Sequence, residues 1–584
     1  MRSVAIDFET EAIDGWRPPE PVGLAIAHST RAGKYYGWGH QGHNNSTKSH
    51  ARERLRRVAY THRIWCFNAG FDIPVARLGM DLPIPWDRVC DAQILAFLGN
   101  PLARARSLKG LCESELGVAP GERDALYRWI QAHVPEARRL GTKRLGAYIS
   151  RAPCDQVAPY ARVDVLDVLR LRDHWAPLTR GPAWEREHAM LPVLNDMRVR
   201  GIPINRRLLA RDAKVYEGWL VRCEGWLLAR LGIRELKPSL VVAACERLGM
   251  TDSWYDTATG PSLAKEHLNK LVAEGNFKDA TFVAVWSYRL YLAWALQTFV
   301  RVWLASGEDS IHPTWSGVLG DAGGAVTGRL SSRPNAQNLP KRVPVFDVPA
   351  DLGVGPLPNL REYIEAPAGW ALVGIDVSQQ ELRILGHFEP TIGDMYRGNP
   401  RIDLHVVAMQ KMSEAAGVTL DRDTGKATNL TTIYGGGAPV LSDRLGITED
   451  QARTFKAAHA KAFPGIAKLR SAMELAGRYE TAGGRWYESV SGKAYRDINY
   501  RIQGSAADQL KAIMLEAHAA ARSMGGWIPL TAHDEILTCV PTKRASEMRS
   551  MLTELVESTG VGKRNAMFDV PMLGETYQGK RWLK

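Results

Sequence analysis

The sequence predicts a multidomain protein that combines α/β and α+β architecture, and three observations lead to this prediction. A chain of 584 residues is long enough for three or four domain-sized units, each with its own core. Residues 1–178 begin with a short apolar run typical of a strand and close with a helical pattern. Residues 185–310 are mainly helical in pattern, whereas residues 311–584 mix short strands with helices.

The composition is that of a globular protein whose charge suits a polyanionic partner. Hydrophobic residues make up 45% and charged residues 24%, and the formal net charge is +12. An excess of basic charge attracts phosphates without sequence specificity, so it indicates only the class of partner. The seven cysteines stand singly, without a C-x-x-C pair, which favours reduced, buried thiols over a disulfide framework.

The sequence carries no sign of a membrane protein or an ATPase. The N-terminus lacks an apolar signal segment, and no apolar run approaches the roughly 20 residues that a bilayer crossing requires. A G-x-x-x-x-G-K-[ST] loop is absent as well. We therefore expect a soluble, cytoplasmic protein that makes no membrane contact.

The polar stretch 40–50 contains His40, His43 and His50 among Asn, Ser and Gly. Histidines are common metal ligands, but these three have no fixed ligand spacing. The composition is typical of a loop, so we expect a solvated loop here rather than a metal site.

Asp7 and Glu9 end the first strand-like run, Val4-Ala5-Ile6-Asp7-Phe8-Glu9. Side chains two residues apart on a strand share a face, so both carboxylates can bind the same ion. Adjacent carboxylates repel unless a cation neutralises them, and Mg²⁺ prefers carboxylate oxygens together with water and phosphate. Two exposed acids at a strand end are common, so this pair is ambiguous by itself.

Two later segments add to this pair. Asp72 follows a small-residue turn in Phe67-Asn68-Ala69-Gly70-Phe71-Asp72. Tyr160 and Asp164 stand four residues apart on a predicted helix and share one face. Asp167 lies one turn beyond Asp164 and is the alternative acid at this point.

In this order the three motifs resemble those of the proofreading 3′→5′ exonuclease fold, a ribonuclease H-like domain that residues 1–178 would form. The resemblance implies that four acids hold two Mg²⁺ ions and that Tyr160 orients the attacking water. The family spacing favours Asp164 over Asp167 as a ligand. The implied ligands are Asp7, Glu9, Asp72 and Asp164.

Residues 311–584 contain five further motifs. They are T-G-R-L-S-S at 327–332, D-V-S-Q-Q-E-L-R at 376–383, R-x3-K-x7-Y-G from 422, Q-G-S-A-A-D at 503–508 and H-D-E at 533–535.

Two of these motifs place acids at strand ends. Asp376 ends an apolar strand, and Asp534 lies at the tip of a predicted hairpin. Phosphoryl transfer is catalysed by positioning and by neutralising charge on phosphate oxygens. Two acids at the ends of neighbouring strands can bridge two metal ions, an arrangement that suits nucleotidyl transfer.

A third motif forms a stripe on a predicted helix. Steps of four residues drift only about 40° each, so Arg422, Lys426, Leu430 and Tyr434 share one face. Two cations followed by an apolar and an aromatic side chain suit a triphosphate at one end and a base at the other. His405 is a candidate third phosphate contact. Singly, such residues are more often a solvated helix face or a structural histidine, so the prediction depends on all five motifs in order.

Together, the five motifs resemble those of family A DNA polymerases, the group of bacterial DNA polymerase I. The resemblance covers residues 185–584 and implies a right-hand polymerase, with residues 185–310 as the thumb and 311–584 as palm and fingers. The fingers would occupy residues 390–500. The implied reaction is DNA-templated addition of deoxynucleotides to a primer 3′ end by two-metal-ion catalysis in DNA replication, with proofreading by the N-terminal domain.

The resemblance also implies roles for individual residues. Asp376, Asp534 and the Val377 carbonyl would bind two Mg²⁺ ions, for which Mn²⁺ can substitute. Glu535 would be catalytic and, with His533, lie beside the primer end, while Glu381 would exclude a ribose 2′-hydroxyl. Arg329, Asn499 and Gln503 would contact minor-groove acceptors. The remaining contacts with the incoming nucleotide and the templating position would come from Gln379, His405, Arg422, Lys426, Leu430 and Tyr434.

The sequence departs from the family in three respects, one of which is that residues 579–584 keep only an abbreviated form of the family ending. The exonuclease motifs begin at the start of the chain, so we expect no 5′-nuclease domain and a compact layout similar to phage replicative polymerases, active in the host cytoplasm. Leu430 stands where the family usually has Phe or Tyr.

Two other functions stay open. A single-subunit RNA polymerase shares the palm, although Glu381 and the proofreading motifs argue against it. A catalytically inactive DNA-binding replisome protein would not need the intact acids. The expected partners are primer–template DNA and dNTPs, and the sequence does not reveal whether a processivity factor binds.

Overall fold

The computed structural model describes residues 2–119, 121–258, 260–320, 323–490 and 494–583. It confirms the predicted mixture of α/β and α+β parts, because one sheet organises the N-terminal region and another the C-terminal region. All seven cysteines fall within these ranges, and each is buried and free, as predicted. In the described ranges, no helix is both long enough and apolar enough to cross a membrane.

Short, mostly buried runs form the strands of the N-terminal sheet. Its strands are β1 (Ser3–Thr10), β2 (Pro21–Ser29), β3 (Ala32–Gly37), β4 (Arg63–Cys66) and β5 (Val89–Asp91). The strand order is β3-β2-β1-β4-β5, with antiparallel pairing from β3 to β1 and parallel pairing from β1 to β5. The surrounding helices are α1 (Lys48–Ala59), α2 (Ala69–Gly79), α3 (Ala92–Gly99), α4 (Leu108–Leu116), α5 (Gly121–His133), α6 (Thr142–Leu145) and α7 (Cys154–His174).

The two faces of β1 are covered by different helices. Val4, Ile6 and Phe8 pack in one core with residues of α1 and α2. Ala5 belongs to the core on the other face, which α7 covers. Because side chains alternate along a strand, the residues that follow Ala5 at period two also face α7.

The prediction of a solvated loop at 40–50 is wrong at both ends. Helix α1 already begins at Lys48, where Thr47 caps it by accepting a hydrogen bond from the His50 backbone N–H. His40 is buried, and its ring lies 2.6 Å from the Tyr35 hydroxyl. Burial lowers the pKa of His40, so this ring is a neutral core residue.

The central region is helical, as its pattern predicts. A π-helical turn, Leu296–Val300, joins its last two helices. Its elements are α8 (Pro182–Arg200), β6 (Ile202–Pro203), α9 (Arg206–Leu231), α10 (Pro238–Arg247), β7 (Asp256–Thr257), β8 (Gly260–Pro261), α11 (Lys265–Ala273), α12 (Ala280–Ala295) and α13 (Arg301–Ala305).

The C-terminal region surrounds an antiparallel sheet. Its strands are β9 (Ser310–Ile311), β10 (Thr314–Ser316), β11 (Ser331–Arg333), β12 (Trp370–Val377), β13 (Arg478–Glu480), β14 (Trp486–Glu488), β15 (Trp527–Ala532), β16 (Glu535–Pro541) and β17 (Gly574–Gly579). Its helices are α14 (Gln380–Phe388), α15 (Pro390–Gly398), α16 (Leu404–Ala416), α17 (Arg422–Ile433), α18 (Ala438–Leu445), α19 (Glu449–Ala462), α20 (Gly465–Ala476), α21 (Asp497–Ser523) and α22 (Ala545–Ser558).

The order of the main C-terminal sheet is β15-β16-β12-β17. Helices α21 and α22 pack against it, while α14 to α20 form a helical lobe that follows β12 in the chain. Helix α8 packs against α2 and α3 on one side and against α21 and β15 on the other, so it joins the two halves of the molecule.

Candidate active sites

The structure brings Asp7, Glu9 and Asp164 together. Asp7 and Glu9 lie on the α7 side of β1, and the three residues offer oxygen atoms within 4.8 Å of one another. Asp72, in the first turn of α2, lies beside them and accepts a hydrogen bond of 3.1 Å from the Phe8 backbone N–H. We call these four acids the N-terminal acidic cluster.

The electrostatics of this cluster suit a cation. Burial raises the pKa of Asp7, and the charges of Asp72 and Glu9 raise it further. Burial, followed by the charges of Asp164 and Asp72, raises the pKa of Glu9 to about 8. Glu9 Oε1 is buried and has no hydrogen-bond partner among the described residues. Converging carboxylate oxygens, one of them buried without a hydrogen-bond partner, are the ligands that a hard divalent ion such as Mg²⁺ prefers.

Lys109 of α4 is the residue that sequence reasoning missed in this cluster. Only 6% exposed, it places its Nζ 2.6 Å from Asp164 Oδ1 and 3.0 Å from Asp167 Oδ2. Asp167 also accepts a hydrogen bond of 2.7 Å from Arg170, so it serves as an anchor outside the cluster. The sequence around Lys109 carries no recognisable signal, since its partners lie more than 50 residues away.

Tyr160 lies one turn before Asp164 on α7. Burial raises the pKa of Asp164, and the nearby Lys109 and then the Tyr160 hydroxyl lower it. Burial and then the charges of Asp164 and Glu9 raise the pKa of Tyr160, so the phenol keeps its proton at neutral pH. Tyr160 is therefore a hydrogen-bond donor at the edge of the cluster.

The second group of acids lies where β12 ends. Asp376 pairs with Glu535 across the β12–β16 ladder, and Asp534 occupies the β15–β16 turn. The Val377 backbone N–H donates a hydrogen bond of 3.1 Å to the Asp534 carbonyl, which fixes the turn against β12. Burial, and then the charge of Asp376, raise the pKa of Asp534 to about 6. We call Asp376 and Asp534 the C-terminal acidic pair, and their mutual repulsion likewise favours bound divalent cations.

Lys341 is a second cationic side chain that the sequence motifs did not identify. Its Nζ lies 2.9 Å from Asp376 Oδ2, in a segment that directly follows the Pro334–Pro340 stretch. His533, in the same turn as Asp534, is exposed and has a left-handed φ of 57°. Although the residue is exposed, partial desolvation of its ring and then the nearby charges of Arg329 and Lys341 lower the pKa of His533.

Glu535 differs from its expected setting beside a primer end. Its side chain is 1% exposed. Trp582 Nε1 donates a hydrogen bond of 2.6 Å to Oε1, Tyr577 donates another to the same oxygen, and the Arg361 guanidinium lies 3.7 Å from Oε2. These contacts connect Glu535, which directly follows Asp534, to Tyr577 and Trp582 near the C-terminus. Its predicted role in catalysis stays a prediction.

Glu381 occupies the first turn of α14 and is held from two sides. Arg329 Nη2 lies 2.5 Å from Oε1, and the Tyr434 hydroxyl donates a hydrogen bond to Oε2. The carboxylate therefore links the 327–332 motif to the end of α17.

The predicted stripe on α17 is observed. Arg422 and Lys426 are exposed, whereas Leu430 and Tyr434 are half-buried. Arg422 Nε lies 2.6 Å from Asp403 Oδ2, so one cation is tied to the start of α16.

Gln379 and His405 lie near this stripe but are engaged by protein groups. The Gln379 amide donates to the Ile402 carbonyl at 3.0 Å, and its oxygen accepts from the Leu404 N–H at 3.1 Å and the Tyr396 hydroxyl at 3.2 Å. Burial lowers the pKa of His405 to about 4, so this ring is neutral rather than cationic. Their predicted nucleotide contacts stay predictions.

Arg329 and α21 border a cavity of about 190 Å³. Asn499 and Gln503, one turn apart on α21, are half-exposed, and Asn499 Oδ1 has no hydrogen-bond partner in the described part of the chain. The cavity is lined by Gly328, Arg329, Leu330, Gln337, Asn338, Ala506, Ala507, Leu510, Lys511 and His533.

Arg485 holds the 327–332 motif in place. Its guanidinium donates to the Thr327 carbonyl at 2.8 Å, to the Gly504 carbonyl at 2.7 Å and to Asp508 at 2.8 Å. Gly328 has a φ of +74°, and a Cβ there would lie 2.2 Å from Arg485 Nη1. Glycine is required at this position because the backbone conformation and the close guanidinium both exclude a side chain.

Comparison with known proteins gives consistent matches. The family model described as DNA polymerase family A matches residues 237–584, more than half of the chain. DNA polymerase I, thermostable, from Thermus thermophilus (strain ATCC 27634) is 32% identical over 279 residues, which cover 44% of this chain and 31% of that protein. DNA polymerase I from Helicobacter pylori (strain ATCC 700392) is 25% identical over 524 residues, covering 86% of this chain and 53% of that protein.

A solved structure matches over almost the whole chain. The POL domain of Pol1 from M. smegmatis, in complex with DNA primer-template and dNTP, gives a TM-score of 0.72 at 21% identity and covers 99% of this chain and 95% of that chain. This likeness shows the fold. The two curated relatives are longer, since the chain spans between about a third and about half of their length.

Proposed function

The chain belongs to DNA polymerase family A, and from this premise we propose that it extends primer 3′ ends on a DNA template and proofreads them with a 3′→5′ exonuclease. The single observation that carries the polymerase proposal is the meeting of Asp376 and Asp534 at the end of β12, directly before the helical lobe that bears the stripe. The exposed cations Arg422 and Lys426 lie on α17 of that lobe.

Two divalent cations held at each acidic site would activate the attacking oxygen and neutralise charge on the leaving group. We propose Mg²⁺ as this ion, with Mn²⁺ as a substitute. The candidate ligands at the polymerase site are the carboxylates of Asp376 and Asp534 and the carbonyl of Val377. Arg422 and Lys426 bind the triphosphate of a dNTP. Leu430 and Tyr434 contact its base and sugar and the templating position.

Glu381 selects the sugar in this proposal. Arg329 and Tyr434 hold its carboxylate in one position, and a fixed side chain discriminates better than a mobile one because it cannot move aside for a 2′-hydroxyl. Arg329, Asn499 and Gln503 contact the minor groove, where the acceptors of correct base pairs look alike. The cavity between Arg329 and α21 supports this assignment.

The N-terminal acidic cluster supports the exonuclease proposal. Asp7, Glu9 and Asp164 converge within 4.8 Å, and Asp72 adjoins them. Tyr160, which keeps its proton, can orient a water for attack on the terminal phosphodiester. The partners proposed for the whole chain are primer–template DNA and dNTPs, which the solved relative also holds.

Primer extension and single-strand degradation test the two activities separately. With Mg²⁺ and a labelled primer, the wild-type chain should extend the primer and, without dNTPs, shorten it from the 3′ end. The combined substitution Asp7→Ala with Glu9→Ala should abolish shortening and leave extension intact. The exposed Asp351→Asn should change neither activity and serves as the matched control. A wild-type chain that does not extend a primer contradicts the polymerase proposal, and shortening that survives the double substitution contradicts the exonuclease assignment.

A further inference from the structure

Three buried polar side chains on three helices form a hydrogen-bonded chain behind the α17 stripe. They are His405 of α16, Asn429 of α17 and His459 of α19. Gly425 allows α17 to approach α16 this closely, because a Cβ at that position would lie 2.2 Å from the His405 carbonyl oxygen. The sequence motifs did not mark Asn429 or His459.

The orientation of the Asn429 amide follows from its neighbours. Its Nδ2 lies 3.1 Å from the Leu404 carbonyl oxygen, which can only accept a hydrogen bond. The amide nitrogen must therefore face Leu404, and Oδ1 must face the other way. His459 Nε2 lies 2.7 Å from Oδ1, so His459 carries its proton on Nε2 and donates it to Asn429.

The same amide determines which nitrogen of His405 carries a proton. The second N–H of Asn429 Nδ2 points to His405 Nδ1 at 3.1 Å, so Nδ1 has to be the acceptor. A neutral imidazole with a bare Nδ1 has its single N–H on Nε2. Burial keeps the ring neutral, the charge of Asp403 favours its protonation, and the cations Arg422 and Lys426 oppose it.

From this geometry we infer that Asn429, held by His459, is a positioning residue that presents His405 to the triphosphate as a neutral donor through Nε2–H. The inference rests on the proposed polymerase function and deepens it. The opposite tautomer would turn a lone pair toward an anionic phosphate. A hydrogen bond to a charged group contributes substantial binding free energy. We therefore expect loss of the Nε2–H bond to the triphosphate to raise the KM for dNTP roughly tenfold to a hundredfold.

The tautomer can be measured without any activity. In the full-length wild-type chain labelled with ¹⁵N-histidine, the NMR signals of His405, assigned by comparison with His405→Ala, should show a proton on Nε2 and none on Nδ1 at pH 7. In Asn429→Leu the same ring should show a mixture of tautomers or the Nδ1–H form. A wild-type His405 that is protonated on Nδ1, or on both nitrogens, overturns the inference.

A double-mutant cycle tests whether Asn429 acts through His405. Asn429→Leu should raise the KM for dNTP in the wild-type background with a smaller effect on kcat, and should add nothing in the His405→Ala background. A role limited to helix packing predicts the same penalty in both backgrounds, and that result overturns the inference. If the wild-type chain extends no primer, the proposed function fails, and the tautomer measurement then decides the inference by itself.

His459 offers a conservative rescue that does not disturb α17. His459→Gln keeps an N–H donor that can reach Asn429 Oδ1, whereas His459→Phe removes it. The Gln variant should keep the wild-type KM for dNTP and the Nε2–H form of His405, and the Phe variant should lose both. Equal KM values and equal His405 spectra in the two variants overturn the role assigned to His459.

Discussion

Lys109 supplies the resident positive charge of the N-terminal acidic cluster, and replacing it with Met should destabilise this region in the absence of metal. Its ammonium contacts two buried carboxylates, at 2.6 Å on Asp164 and 3.0 Å on Asp167. Removing one partner of a buried ion pair costs about 3–5 kcal/mol. Asp167 keeps Arg170, so we expect about 3 kcal/mol, at the lower end of that range.

The destabilisation should depend on pH in a defined direction. The charge of Lys109 lowers the pKa of Asp164, which burial raises above its ordinary value, so Lys109→Met raises that pKa further. A carboxyl that binds its proton more tightly in the folded chain than in the unfolded chain contributes stability that is lost as pH rises. The variant should therefore lose most at pH 8 and less at pH 6.

Hydrogen exchange of α4 and α7, measured by mass spectrometry in EDTA, gives the local stability without assuming two-state unfolding. A loss of about 3 kcal/mol corresponds to exchange faster by roughly a factor of 100, after correction for intrinsic rates. Added Mg²⁺ should restore protection, because a ligand that binds only the folded state stabilises it. Lys411→Met, which removes only an exposed pair with Glu414, is the control and should cost less than about 1 kcal/mol. If α4 and α7 of Lys109→Met were as well protected from exchange as those of the wild-type chain at pH 8 in EDTA, the reasoning would be refuted.

Four further substitutions test the C-terminal region. Asp376→Asn should lower kcat/KM for primer extension at least about a thousandfold while single-strand degradation continues, and near wild-type extension would exclude Asp376 as a ligand. Glu381→Ala should raise the ratio of kcat/KM for ATP to that for dATP, and an unchanged ratio would remove Glu381 from sugar selection. Leu430→Tyr should increase chain termination by dideoxynucleotides, because tyrosine adds a hydroxyl and a ring face, and stacking on a base contributes roughly 1–3 kcal/mol. Equal termination by the variant and the wild-type chain would contradict this. Trp582→Phe removes a donor to the Glu535 carboxylate and should slow extension roughly tenfold or more, and an unchanged rate would show that this bond does not support the acidic pair.

Much of the fold class and of the two acidic sites could be predicted from local patterns in the sequence. Asp7 and Glu9 share a face because side chains alternate along a strand, and Tyr160 and Asp164 share one because four residues make about one helical turn. The stripe from Arg422 to Tyr434 follows from the same helical period. The family prediction is confirmed by the match at 237–584. Patterns of this kind depend only on neighbours in the chain, so the sequence by itself determines them.

Other features depend on contacts between distant segments, and only the tertiary structure decided them. Lys109 reaches Asp167 across 58 positions, and Trp582 reaches Glu535 across 47. The sequence predicts His405 as a third phosphate contact, and only the folded structure shows that burial makes its ring neutral. The charge of a titratable side chain depends on how much water and which charges surround it in the folded chain, and no local spacing of residues contains that information.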